Sequence, residues 1–385
     1  MNSHSPLINV AKKQSVEAYL NQLRTAPTDP IQERLTRTHI IPHLESMLVD
    51  FERLREAIDM AVNRLSVIHY GYPLKNLHIP SIDVPHIFYC PMLQSMVNHQ
   101  FDKTSQEILA NYPIGQCTKI TWLAWHILVK ETFLPRTEGF SCLQAFVSAG
   151  GNFQVIWGGI RHAEFQTAFQ AGDYYFDISN DTSHIYKPKI AHSLLKESDF
   201  NDISSYREYV GIKSDYHQAE MFINNCFPRL FPYFPFFVHY RDKQQFVIDA
   251  NMHMGRLNIS TQFGTILDAM DDGCFENHLY CSSLEQINTS VKKIKGNKRS
   301  RDVLEFRIMD RDEMTLLLRS CAALDPAEHI EQLNAAEKIC GFLNHVWAKE
   351  SMGEQIMDKW DGSILGVSKP DALSAIYPLH GRPLQ

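Results

Sequence analysis

The chain lacks any uninterrupted apolar run of about eighteen residues, the length a spanning helix needs, so no membrane span is expected. Its first residues, MNSHSPLINVAKKQ, lack the apolar core of a cleaved secretory signal. Cysteine is present at positions 90, 117, 142, 226, 274, 281, 321 and 340, but none of the eight forms a CxxC pair. That removes a zinc ribbon, and eight cysteines in 385 residues are too sparse for a disulfide scaffold. Positive charge is not in excess: 37 Lys and Arg against 44 Asp and Glu give a net charge of −7, which argues against a general nucleic-acid binder. No phosphate-binding loop, internal repeat or low-complexity tract stands out. The thiols are therefore read as reduced and the location as cytoplasmic, with export by a route without a cleaved signal peptide as the alternative. No metal site and no cofactor is expected.

What is present is a composition for packing. Hydrophobic residues make up 44% and charged residues 21%, as in globular proteins. The first 110 residues read mostly as helix. Ser15 to Arg24 has helical apolar spacing, and Leu48, Phe51, Leu54, Ile58, Ala61 and Leu65 form a stripe recurring every three or four residues, after an interruption at Pro42. Leu74 to Pro91 is rich in proline and histidine and reads as irregular. Cys117 to Glu131 is apolar on nearly every side, as a central helix is. The period then shortens: Leu143 to Ser148, Asn152 to Trp157, His162 to Phe169 and Tyr174 to Ser179 read as strands separated by glycine-rich turns. Further on, His217 to Asn225 reads as helix and Phe236 to Ala250 as a hairpin around Arg241 and Asp242. Asp312 to Ala323 and Pro326 to Lys349 also read as helices. FPRLFPYFPFF (Phe227 to Phe237) is either a buried irregular wall or a docking surface, and the basic run Lys292 to Arg301 reads as a solvated loop. A helix followed by antiparallel strands makes the class α+β.

The residues that carry chemistry gather around NYPIGQCTKITWLAWHIL. Cys117 stands at a helix start, where backbone N–H groups lack helical partners and the dipole is positive. Such a place favours a thiolate and supplies donors for an oxyanion. A nucleophilic cysteine needs a base, and the base an orienting group. The strand run offers His162 and Asp177, with the register between their strands left open; Asp181 either orients the imidazole or forms a turn. Gln116 either donates to the oxyanion or simply precedes the helix. Trp157, with Trp122, either walls an acyl site or packs.

This stretch resembles the transglutaminase-like (papain-like) superfamily of cysteine enzymes, whose effector members in bacteria modify host proteins. Gly115-Gln116-Cys117 is similar to the GQC opening the nucleophile helix, and His162-Ala163 through Phe176-Asp177 is similar to the strand pair bearing His and Asp. Glu164 and Thr118 stand where that family usually has tryptophan. The resemblance covers about residues 111 to 182. It implies a nucleophile helix packed on an antiparallel sheet in a catalytic core at 111–215; the sequence pattern adds a helical segment at 1–110 and an α/β extension at 216–385 packed on the core. It implies a thiol acyltransferase or hydrolase with a Cys117–His162–Asp177 triad, acting through a thioester on protein or peptide amides by deamidation, transamidation or proteolysis. Two other readings stay open: a small-molecule N-acyltransferase with the same triad order, and a non-catalytic protein-binding module on the same fold.

Overall fold

The computed structural model describes residues 15–70, 111–129, 137–240, 245–273 and 306–351. Leu74 to Pro91, the basic run Lys292 to Arg301 and the expected turn at Arg241 and Asp242 lie outside the described residues. The chain is α+β and divides into two compact units. One contains Leu23–Asp202, the other Ser15–Gln22 together with the chain from Ile203 onward. The boundaries drawn from the sequence at 110 and 215 fall inside these units.

In the first unit, helix α1 (Pro30–Leu35) starts on Asp29, whose carboxylate accepts from the Gln32 N–H at 2.8 Å. A π turn and a 3₁₀ turn containing Pro42 lead into the 27-residue helix α2 (Leu44–Tyr70). The stripe read from the sequence is its buried face: Phe51, Leu54, Ile58 and Ala61 are at most 4% exposed. Helix α3 (Cys117–Val129) buries Ile120, Leu123, Ala124, Ile127 and Leu128 in the same core. Helix α4 (Glu138–Ser148) corrects one expectation, because Leu143 to Ser148 is helical rather than a strand. Gly139, Phe140, Leu143 and Phe146 are buried at three- and four-residue intervals, a period the six-residue window was too short to show.

Strands β1 (Phe153–Ile160), β2 (Glu164–Ala171), β3 (Tyr174–Asp177), β4 (Ala191–Leu194) and β5 (Phe200–Asn201) form an antiparallel sheet in the order β4-β3-β2-β1-β5. Gly172, at φ +62°, makes the tight β2–β3 turn and so sets the pairing Ala171↔Tyr174 and Phe169↔Phe176. Alternation then divides the sheet into two faces. Val155, Phe169, Ala171 and Phe176 join the helices in one core, where Phe51 meets Phe140, Phe169 and Phe176 at centroid distances of 5.6, 6.0 and 5.2 Å. Ile156, Ala168, Tyr175 and Phe200 cluster on the reverse face.

In the second unit, the short helix Val16–Leu20 is followed, after the first unit's chain, by α5 (Tyr206–Tyr216) and a three-stranded antiparallel sheet. Its strands are β6 (Ala219–Ile223), β7 (Phe236–Tyr240) and β8 (Gln245–Ile248), in the order β6-β7-β8. Its other described helices are α6 (Met252–Ser260), α7 (Gly264–Asp271), α8 (Arg311–Ala322) and α9 (Pro326–Ser351). The helix expected over His217 to Asn225 is instead strand β6. Its alternating burial of Ala219, Met221 and Ile223 is the period-two signature of a strand pairing with β7. The aromatic stretch resolves as a buried wall, not a docking surface: Phe227, Phe231, Tyr233, Phe234 and Phe237 are at most 1% exposed. Asn258 pins it by donating to Pro232 O at 3.1 Å, and Tyr233 shares a hydrogen bond with His329 Nδ1 at 2.7 Å. No helix among the described residues is long and apolar enough to cross a membrane.

Candidate functional site

The start of α3 is built by a turn. Gly115, at φ +69°, donates its N–H to Thr182 O at 2.8 Å, and Gln116 donates to Pro113 O at 3.0 Å. The Gln116 carbonyl accepts the first helical bond, from Ile120 N at 2.9 Å. Its side chain is buried and donates locally to Ile114 O at 3.4 Å. Cys117 is therefore the first helical residue, partly buried and a free thiol. Its sulfur lies 3.8 Å from the Thr118 hydroxyl, which in turn lies 2.8 Å from the Thr167 hydroxyl of β2. Thr121 ties the same point of β2 to the helix, donating to Thr167 O at 2.9 Å. Trp157 is the register partner of Thr167 and stacks on Phe165 at 5.3 Å. Trp122 packs at the edge of the main core.

Two electrostatic effects oppose each other at the sulfur. Burial, then the charge of Asp177, pushes the thiol upward; the Thr118 and Thr167 hydroxyls and the Thr118 N–H act in the other direction. The upward effects win, so Cys117 rests as a neutral thiol.

Asp177 ends β3 almost fully buried. One carboxylate oxygen accepts from the Ser179 N–H at 2.8 Å and the Ser179 hydroxyl at 3.0 Å; the other accepts from the Gln166 side chain. Burial raises its pKa to about 6, although the Gln166 and Ser179 bonds and the charge of Arg55 favour the carboxylate.

His162 occupies the exposed turn between β1 and β2, at φ +53°, and β2 begins only at Glu164. Continuing the pairing Phe169↔Phe176 by one step sets Ala168 across from Asp177. Four residues of strand, about 13 Å, separate Ala168 from Glu164, and His162 is further back still. The structure thus brings Cys117 and Asp177 into electrostatic reach of one another, while Gln166 and Ser179 occupy the carboxylate. The strand side chain that meets the helix start is Thr167.

Several residues went unread in the sequence. Arg55, fully buried in α2, bonds Asp181 with its two terminal nitrogens (2.6 and 3.1 Å), Asp59 through Nε at 2.9 Å and Ile178 O at 3.0 Å. Asp181 is therefore an ion-pair partner of Arg55, a role that neither of its two sequence readings gave. Tyr112 donates to Asp59 at 2.6 Å, and Lys189 pairs with Asp59 at 2.7 Å. The Arg55 and Asp59 spacing of four on one helix was a visible signal. Gln166 and Tyr175 carried none beyond being a polar and an aromatic residue in strands.

No known family model, curated protein or solved structure matches this chain. The reading of the site therefore rests on its own residues.

The Asp177 carboxyl carries a stability prediction. Its folded pKa of about 6 exceeds the ordinary 3.8, so the folded chain holds this proton more tightly than the unfolded one. Its contribution is greatest below pH 3.8 and is lost as pH rises through 6, by about 3 kcal/mol. Asp177→Asn removes the titration, and any hydrogen bond it disturbs costs the same at every pH. Urea denaturation at pH 4.5 and pH 7 should show the variant gaining on the wild type as pH rises. Parallel stability curves would contradict the assignment.

Proposed function

We propose that residues 23–202 form a peptide-binding module on a transglutaminase-like layout, with Cys117 as a neutral, non-nucleophilic thiol. The carrying observation is the sulfur's surroundings. Burial and the Asp177 charge hold the proton on sulfur, and the Thr167 hydroxyl reaches it from the sheet. General-base activation needs a proton acceptor within hydrogen-bond reach of the nucleophile. The Asp177 carboxylate is taken up by Gln166 and Ser179.

One observation favours a second reading, cysteine-dependent acyl transfer on protein or peptide amides. The Thr118 N–H and the two threonine hydroxyls all favour negative charge on the sulfur. On that reading the Cys117 sulfur attacks an amide carbonyl, an amine or ammonia leaves, and the thioester passes to water or to a second amine.

The two readings separate in one experiment. The protein is incubated with dephosphorylated casein and putrescine, and the casein is analysed by peptide mass spectrometry. Binding alone predicts unchanged casein. A gain of about one mass unit at glutamine, putrescine adducts or new peptide ends, each abolished in Cys117→Ala, would overturn the binding reading in favour of acyl transfer.

A further inference from the structure

The aromatic wall of the second unit carries a buried polar chain. Tyr233, His329 and Gln332 are 1%, 2% and 3% exposed. His329 and Gln332 stand about one turn apart on α9, and Tyr233 reaches both from the wall. The Tyr233 hydroxyl lies 2.7 Å from His329 Nδ1 and also bonds the Gln332 side chain. On the other side of the ring, His329 Nε2 lies 2.8 Å from Cys321 O, near the end of α8.

The hydrogens available to this chain allow two arrangements. Cys321 O only accepts, so Nε2 of His329 carries a hydrogen in both. Nδ1 therefore accepts when the ring is neutral and donates when it is charged. Tyr233 has a single hydroxyl hydrogen to give. With a neutral ring that hydrogen goes to Nδ1, the Tyr233 oxygen accepts, and Gln332 must present its Nε2. With a charged ring Nδ1–H donates to the Tyr233 oxygen, the hydroxyl hydrogen goes to the amide, and Gln332 must present its Oε1. The structure holds the second arrangement, with Oε1 toward Tyr233 and the Gln332 Nε2 buried without a hydrogen-bond partner. Turning the amide over would give that donor the Tyr233 oxygen as its acceptor and match the neutral ring.

The surroundings bias the choice. The groups facing the ring are Tyr233 from the wall, the Cys321 carbonyl from α8, the Phe263 ring before α7 at a centroid distance of 4.9 Å, and the carboxylates of Asp325 and Glu328 at the start of α9. Burial pulls His329 below the usual imidazole pKa, while the Cys321 carbonyl and the charges of Glu328 and Asp325 act in the opposite direction. Burial wins, so the neutral arrangement is the one held at neutral pH.

We propose that Tyr233, His329 and Gln332 form a proton-operated switch, in which one proton taken from water by His329 Nδ1 reverses the Tyr233 hydroxyl and turns the Gln332 amide over. The switch joins α9 to the aromatic wall and lies outside residues 23–202, so it goes beyond the binding reading above and stands independently of it. Its sign follows from linkage. The folded chain holds this proton less tightly than the unfolded one, so the stability that His329 contributes is full above pH 6.5 and is lost as pH falls below it.

The test uses the full chain with 15N-labelled histidine, the His329 ring being identified by its absence in His329→Gln. In the wild type the neutral ring should carry its hydrogen on Nε2 and titrate below pH 6.5. Gln332→Met strands the Tyr233 hydrogen in the charged arrangement but only an oxygen lone pair in the neutral one, so it should lower the proton affinity of His329 by about tenfold. Gln332→Glu provides a fixed acceptor and should raise that affinity by about tenfold or more. The charge of a new carboxylate would raise it without any switch, so the methionine variant decides. A neutral ring protonated on Nδ1, or a midpoint unmoved or raised in Gln332→Met, would overturn the proposal. The tautomer is read in the wild type, so a Gln332→Met chain that fails to fold leaves that decision standing.

Discussion

Replacing Arg55 by alanine is expected to cost the first unit about 3–5 kcal/mol, enough to bring a domain of ordinary stability close to unfolding. The guanidinium is fully buried and touches two carboxylates and a carbonyl at once. Its loss strands Asp181, whose partner it is, and leaves Asp59 with Lys189 and the Tyr112 hydroxyl. An unpaired buried carboxylate is far more costly than the pair itself was favourable, because both ions have already given up water. Arg55→Lys should rescue little, since an ammonium cannot span Asp59, Asp181 and Ile178 O as the planar fork does. The network also binds α2 to the segment that follows Asp177, so the site should loosen with it. Urea denaturation of both variants checks this. A loss under about 1 kcal/mol would mean the network is not what holds this region.

The parts of the fold legible in the sequence were those fixed by local chemistry. The α2 stripe, the glycine before Cys117 and the apolar run of α3 each declare themselves within a dozen residues. The hairpin joining β2 and β3 was equally plain, because Ala171-Gly172-Asp173 is a turn in any context. The errors came where the answer lay outside the window. Leu143 to Ser148 looks strand-like until Gly139 and Phe140 are included. The helix expected over His217 to Asn225 gave way to β6 because its partner strand, Phe236–Tyr240, lies beyond it in sequence. The candidate site was legible in kind but not in geometry. Cys117 does open a helix and Asp177 does end a strand near it. Register decided the rest: the pairing Ala171↔Tyr174 puts Ala168, not His162, across from the carboxylate. The Arg55–Asp181 pair joins residues 126 apart, and no short pattern announces such a contact.

The second large effect is expected at Cys117. A thiol with the ordinary pKa of 9.0 is about 1% thiolate at pH 7, and Cys117 lies above that value. The helix start works against this shift, but such a dipole is worth only about 0.3–1 kcal/mol at an ordinary surface site, less than burial and a nearby carboxylate impose together. A cysteine activated for attack, with a pKa in the range of roughly 3.5–7.5, would be largely ionised near neutrality and would alkylate on the order of 100-fold faster. Cys142, a partly buried free thiol in the same unit whose pKa is itself raised by burial and the Glu138 charge, is the comparison thiol.

The direct test of a resting neutral thiol is the rate of iodoacetamide labelling at Cys117 as a function of pH, followed by peptide mass spectrometry. The account predicts labelling at pH 7 no faster than at Cys142 and a rate still climbing beyond pH 9. Rapid labelling at pH 7 with a plateau already reached would contradict it and return Cys117 to the role of nucleophile.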